Sequence, residues 1–204
     1  MLCLLHAPVV IRPSTGGVVD SERAEPAADE PLSGHETDGR WRRPLRDALR
    51  GLAALAILHV FVLQISVVRG HSMQPSLHDG DRLMVDRVSH HVSGVNRFSV
   101  VVLSYPRDPK VDFVKRVVGL PGDRVRLDDG RLYVNGRVLE QSFASVADSA
   151  VMTERVVPNG CYFVLGDNRP ISCDSRDFGM VASDLVKGTV RARFWPLDRV
   201  AVFD

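Results

Sequence analysis

Apolar and polar positions divide the chain into three stretches. Up to residue 40 the apolar residues follow no period. Residues 1–11 are apolar but short and lack a basic start, so they do not read as a secretory signal. Residues 12–40 are rich in Pro, Gly, Ser, Ala and acidic side chains. Such a composition cannot bury enough surface to offset ordering entropy, and residues 1–44 are expected to be a disordered tail. Gly51–Val68 carries no formally charged side chain and has only His59, Gln64 and Ser66 as polar breaks. As a helix this run reaches about 27 Å, near the lower limit for crossing a bilayer, which predicts a transmembrane anchor over residues 45–68. From residue 81 the period changes. Leu83 and Val85 alternate along Asp81–Arg87, Phe98–Leu103 is a continuous apolar strand candidate, and Val111–Leu120 is another strand candidate. Val125–Leu127, Arg131–Val134 and Arg137–Leu139 are separated by Asp128-Asp129-Gly130 and Asn135-Gly136, the preferred chemistry of tight hairpins. Tyr162–Leu165 and Thr189–Phe194 add strands, with one short helical hint at Ser183–Val186. Residues 69–204 are therefore expected to be mainly β, an antiparallel sheet or barrel-like domain behind one N-terminal transmembrane helix.

Charge refines this picture. The net charge is +1, which gives no sign of a nucleic-acid partner. Arg40, Arg42, Arg43, Arg46 and Arg50 crowd the N-terminal side of the apolar run, so that side is expected in the cytoplasm and the β domain outside it. Three lysines, Lys110, Lys115 and Lys187, stand among many arginines. A desolvated lysine can lose its proton and an arginine cannot, so each lysine is a candidate for chemistry. Cys3, Cys161 and Cys173 lack paired zinc spacing, and the histidines form no ligand pattern. No metal and no cofactor are implied.

Three stretches carry candidate chemistry. In Gly70-His71-Ser72-Met73-Gln74-Pro75-Ser76-Leu77, a glycine before the serine and a proline after it favour a turn that exposes a hydroxyl beside its own N–H. The plain alternative is a polar loop after an anchor. In Val111–Val118, strand alternation puts Phe113, Lys115 and Val117 on one face and Asp112 and Arg116 on the other. Apolar company should lower the Lys115 pKa and make the amine available as a base. The alternative is a lysine that snorkels to water. In Gly166–Gly179, Asp174 and Arg176 are spaced to pair and brace a loop, and Ser172 is a donor or acceptor for a nearby amine.

These motifs, in this order behind one anchor, resemble bacterial type I signal peptidases, the membrane-bound Ser/Lys family, over roughly residues 45–197. The resemblance implies Ser72 as nucleophile with its N–H as an oxyanion donor, and Lys115 as neutral general base. It implies Ser172 hydrogen-bonded to Lys115 as its orienting group, and Asp174 and Arg176 as the supporting pair. Met73, Leu77, Phe113 and Val114 would line shallow pockets for small side chains, matching A-x-A-like cleavage sites. The implied partners are the lipid bilayer and the signal peptides of secretory preproteins, with export machinery nearby, at a single-pass position in the plasma membrane. Gly70 stands where some relatives carry an oxyanion-binding serine, which leaves the second donor open. Arg97-Phe98-Ser99 stands where many carry Arg-Gly-Asp. Cys161 and Cys173 flank the last motif, and the sequence does not decide whether they pair. Two other readings remain: a self-cleaving Ser/Lys regulator, for which no basic helix-turn-helix is present, and a non-catalytic membrane-tethered β module that captures peptides.

Overall fold

The computed structural model describes residues 42–143 and 148–203. The expected tail before residue 42 lies outside them. Two units are distinguished, one carrying a helix as far as Phe61 and the other running from Val62 onward.

Helix α1 (Arg42–Val62) opens on arginines and then loses all charge after Arg50. Leu45, Leu49 and Leu52 recur at helical spacing, and each is about two-thirds exposed. Among the described residues no helix is long and apolar enough to cross a membrane. Its uncharged part, Gly51–Val62, spans only about 18 Å at about 1.5 Å per residue.

The anchor expected over 45–68 is thus corrected at its C-terminal end, because the chain leaves the helix at Val62 and continues as strand β1 (Leu63–Val67). Leu63, Ile65 and Val67 alternate there with Gln64 and Ser66, a period of two. The side chains point the unexpected way: Ser66 is buried and Ile65 is half exposed. Pairing with the next strand decides the conformation. Ile65 lies opposite Met84, and the following Val68 enters the core. The β domain therefore begins before residue 69.

The remaining strands are β2 (Arg82–Asp86), β3 (Val100–Tyr105), β4 (Asp108–Gly119), β5 (Arg124–Asp128), β6 (Arg131–Val134), β7 (Arg137–Val138), β8 (Met152–Val156), β9 (Cys161–Leu165), β10 (Val181–Ala182), β11 (Val186–Trp195) and β12 (Ala201–Val202). Two short helices, α2 (Ser89–Ser93) and α3 (Ser175–Phe178), interrupt them. The larger sheet has the order β1-β2-β11-β3-β4-β9-β10, with β12 also on β11, and the smaller has β7-β6-β5-β8. Every recorded pairing is antiparallel. Asp129-Gly130 and Asn135-Gly136 take positive φ at both positions, which closes the two hairpins as their sequence requires.

Strands β3 and β4 are buried on both faces. Val100, Val102 and Val114 join one cluster with Val68, Met73, Leu77 and Leu83. Val101, Leu103, Phe113 and Val117 join another with Tyr162 and Val164. Double burial explains why β3 reads as a nearly unbroken apolar run. The helical hint at Ser183–Val186 is a single 3₁₀ turn, Ser183–Leu185.

Candidate active site

The site is assembled by two register relations. In the β3–β4 pair, Lys115 lies opposite Val101. In the β4–β9 pair, Arg116 lies opposite Leu165, the last residue of β9. The chain leaving β9 at Gly166 therefore emerges beside Lys115 and Arg116. The β1–β2 connection supplies the other half. It is closed at its base by Val68 N–H to Asp81 O at 2.8 Å and Gly80 N–H to Val68 O at 2.9 Å. Within it Gly70 has φ 98°, the Gln74–Pro75 bond is cis, and the Leu77 N–H donates to Met73 O. Met73 and Leu77 drop into the core and hold Ser72 above them.

These two loops bring Ser72 and Lys115 together across 43 residues of sequence: Lys115 Nζ donates to Ser72 Oγ at 2.8 Å. Ser72 is 7% exposed and Lys115 2%. Burial is the leading influence on the lysine, and it pushes the pKa down to about 8. Asp174 and Asp167 resist that shift, and Arg176 adds to it. The Phe113 ring lies 5.3 Å from Nζ, on the face that strand alternation assigns to it. No described group takes the Ser72 N–H, whereas the Gly70 N–H is already given to Asp79 Oδ1 at 2.8 Å.

The loop after β9 fits closely against the serine. The Asn168 N–H donates to Ser72 O at 3.0 Å, and Asn168 Nδ2 to His71 O at 3.3 Å. A Cβ at Gly166 would overlap the Ser172 hydroxyl and sit 2.6 Å from Ser72 O, so only glycine passes here without displacement. Asp174 and Arg176 do pair, Nε to Oδ1 at 2.8 Å and Nη2 to Oδ2 at 2.9 Å. Asp174 also caps α3 and accepts from the Gly166 N–H at 3.0 Å. The pair thereby fixes both ends of the Gly166–Asp174 loop.

Two expectations are corrected. The hydrogen bond expected between Ser172 and Lys115 is not made: Ser172 Oγ is buried and has no partner, while Nζ is given to Ser72. Met73, Leu77 and Val114 have no exposed surface, and Phe113 has 5%. They form the packed floor under the site, not walls open to a substrate, because the apolar side chains of the serine loop are what anchor it. Cys161 is a free thiol, so it does not pair with Cys173.

The sequence reading missed a second arginine–carboxylate pair. Arg116 grips Asp167 with two hydrogen bonds, Nε to Oδ1 at 2.9 Å and Nη2 to Oδ2 at 2.7 Å, and both residues are buried. The same guanidinium donates to Phe98 O at 2.9 Å and Ser76 Oγ at 3.2 Å. Arg116 thus ties the serine loop to the loop after β9. An arginine in the buried half of β4, with an aspartate in the Gly166–Gly179 stretch, was the available signal. Phe98, at the position where many relatives have glycine, has φ 73°. The turn into β3 keeps its left-handed shape although this residue has a side chain, at a cost of about 1–2 kcal/mol.

Comparisons with known proteins give the family of this chain. Residues 43–195 match the family described as signal peptidase, peptidase S26. Signal peptidase I of Bacillus caldolyticus is 37% identical over 164 residues, covering 74% of this chain and 89% of that protein. Signal peptidase IB of Staphylococcus aureus (strain COL) is 36% identical over 160 residues, covering 70% and 83%. A crystal structure of a signal peptidase I from Enterococcus faecalis V583 overlaps 47% of this chain and 95% of that one, at 35% identity and a TM-score of 0.42. The chain belongs to the peptidase S26 signal peptidases, as a type I signal peptidase, a serine endopeptidase that cleaves signal peptides.

Proposed function

We propose that Ser72 is the nucleophile and Lys115 the general base of this signal peptidase. The observation that carries the assignment is a buried lysine, its pKa pushed down to about 8, 2.8 Å from a serine oxygen in the loop between β1 and β2. At pH 7 roughly one-tenth of such an amine is neutral. In that form the contact reverses, and the serine hydroxyl donates to the lysine lone pair. As Oγ bonds to the scissile carbonyl carbon, its proton passes to Nζ. The Ser72 N–H is available to the developing oxyanion. Collapse breaks the C–N bond, Nζ returns the proton to the leaving amine, and the signal peptide remains as an ester on Ser72. Water then attacks the ester with Lys115 again taking the proton, and Oγ is reprotonated.

In this reading Asp174 and Arg176 hold the loop, and Ser172 is a positioning residue beside the dyad. Met73, Leu77, Phe113 and Val114 shape the floor from below. A shallow floor over a filled core favours the small side chains of A-x-A-like sites. The enzyme works at the plasma membrane, with its N-terminus cytoplasmic and residues 63–204 outside, and its anchor uses more of the chain than the uncharged part of α1, which spans only about 18 Å. Two features support a lipid neighbour. Arginines crowd the start of α1. One row across β1, β2, β11 and β12 reads Ile65, Met84, Ala192, Val202, with exposed Trp195, Leu197 and Val200 nearby. Preproteins arriving from export machinery would meet the site there.

The test is cleavage of a preprotein with an A-x-A site by the intact protein, Ser72→Ala and Lys115→Arg in lipid or detergent. Both variants should fold and fail to cut at that site. Retained specific cleavage by either would refute its assigned role.

A further inference from the structure

Three arginines hold the catalytic loops in place, and each has a contact reaching it from the same outside segment, the connection between β7 and β8. Phe143 lies beneath Arg116, with the guanidinium 4.1 Å from its ring centroid. Gln141 Oε1 accepts from Arg169, which is buried and donates to Gly166 O at 2.9 Å. Asp148 Oδ2 pairs with Arg176 Nη1 at 2.5 Å. Phe143 also meets the Phe98 ring edge-on at 5.3 Å, beside the carbonyl that Arg116 holds. Gln141 and Asp148 are each 28 residues from their partners, so local sequence does not enforce these contacts. A connection that served only to join two strands of the smaller sheet would have no reason to supply a partner to each of these three arginines.

We propose that Gln141, Phe143 and Asp148 are positioning residues for the peptidase reaction, acting through Arg169, Arg116 and Arg176 to fix the loop after β9 against Ser72. The inference rests on the Ser72–Lys115 assignment. Phe143 keeps water from one face of Arg116 and so stiffens its grip on Asp167 and Ser76. Asp148 neutralises part of the Arg176 charge that Asp174 does not.

The two ends of the strap act on the lysine with opposite sign. The charges facing Lys115 are Asp174, Arg176, Asp167 and Asp177. Loosening the packing at Phe143 weakens the hold of Arg116 on Ser76 and Asp167, and through them the closure of the two loops over the amine; the burial that depresses it is relieved, so the pKa rises. Removing the Asp148 charge leaves Arg176 less compensated, so the pKa falls.

The experiment uses the full chain in detergent with an A-x-A preprotein, comparing wild type, Ser72→Ala, Phe143→Ala, Phe143→Tyr and Asp148→Asn. Each is checked for folding by thermal melting. Phe143→Ala should lower kcat about tenfold with KM within about twofold, and Phe143→Tyr should restore it. The acid limb of kcat/KM should move to higher pH in Phe143→Ala and to lower pH in Asp148→Asn. An inert Ser72→Ala alongside Phe143→Ala and Asp148→Asn with wild-type kcat and pH limbs would overturn the strap inference alone. An active Ser72→Ala would overturn the reading beneath it. If Phe143→Ala does not fold, the near-isosteric Asp148→Asn decides the matter: an unmoved acid limb refutes the proposal.

Discussion

At the scale of single residues, the site depends on one buried amine. Burial disfavours the Lys115 ammonium, and under the proposed assignment the dyad works through the fraction that is neutral. The rate constant kcat/KM should therefore rise with pH through about 8, and an unchanging profile between pH 6 and 9 would contradict the base assignment. The stability consequence has a fixed sign. The folded pKa lies below the unfolded value of 10.5, so the folding penalty is complete below about pH 8 and disappears as pH rises past the unfolded value. That depression corresponds to about 3 kcal/mol. Lys115→Met should thus abolish cleavage yet raise Tm at pH 7, with the gain fading toward pH 10. A lower Tm for Lys115→Met at neutral pH would show that the amine stabilises the fold. Gly166 makes the converse case, a residue that matters by having no side chain. Gly166→Ala should cut kcat at least about a hundredfold by displacing Ser72 from Lys115, and wild-type activity in this variant would show that the loops can part without harm.

At the scale of elements, β1 carries more than its position suggests. It pairs along its whole length with β2 and leads Val68 into the core cluster of the serine loop. A chain beginning at Val62 keeps this strand, and one beginning at Arg69 loses it together with a fully buried valine. The shorter chain should melt at a lower temperature and lose activity on a soluble peptide by a larger factor. Equal melting curves for the two would mean that β1 is an accessory edge. The loop after β9 is the other decisive element. Its start is set by the register of β4 on β9, its end by the cap on α3, and its middle by Arg116.

At the scale of the whole β domain, burial and exposure divide the apolar residues into two populations. One fills three core clusters, and the other is exposed, with Ile65, Trp195 and Val202 on β1, β11 and β12 and Leu197 and Val200 between the last two strands. Trp195 has Arg82 over its ring at 5.7 Å. Tryptophan and arginine together suit a membrane interface, where the ring lies at headgroup level and the guanidinium reaches water. Vesicle flotation of residues 62–204 should show binding that weakens in Trp195→Ser with Val202→Ser, while the melting temperature stays close to wild type. Flotation that is the same for both would assign the exposed apolar residues to a protein partner or to none.

Sequence alone determined what depends on local chemistry. Two-residue periodicity and the Asp-Gly and Asn-Gly turns gave the hairpins of the smaller sheet, because a tight turn admits few residue types. Alternation put Phe113 and Lys115 on one face of β4, because a strand has a fixed period. Asp174 and Arg176 were close enough along the chain for their pairing to be legible. Tertiary structure decided whatever depends on register between distant strands. Leu63–Val67 reads as the end of an apolar helix until β2 offers it a partner. Arg116 reads only as a charge on the face opposite Lys115 until the loop after β9 brings Asp167 beside it. Ser172 reads as a ligand of Lys115, yet the folded loops bring Ser72 Oγ to that nitrogen and leave the buried Ser172 Oγ without a partner. The physical reason is common to all three: backbone pairing and burial of charge are settled by groups far apart in sequence, and only the folded sheet sets the distance between them.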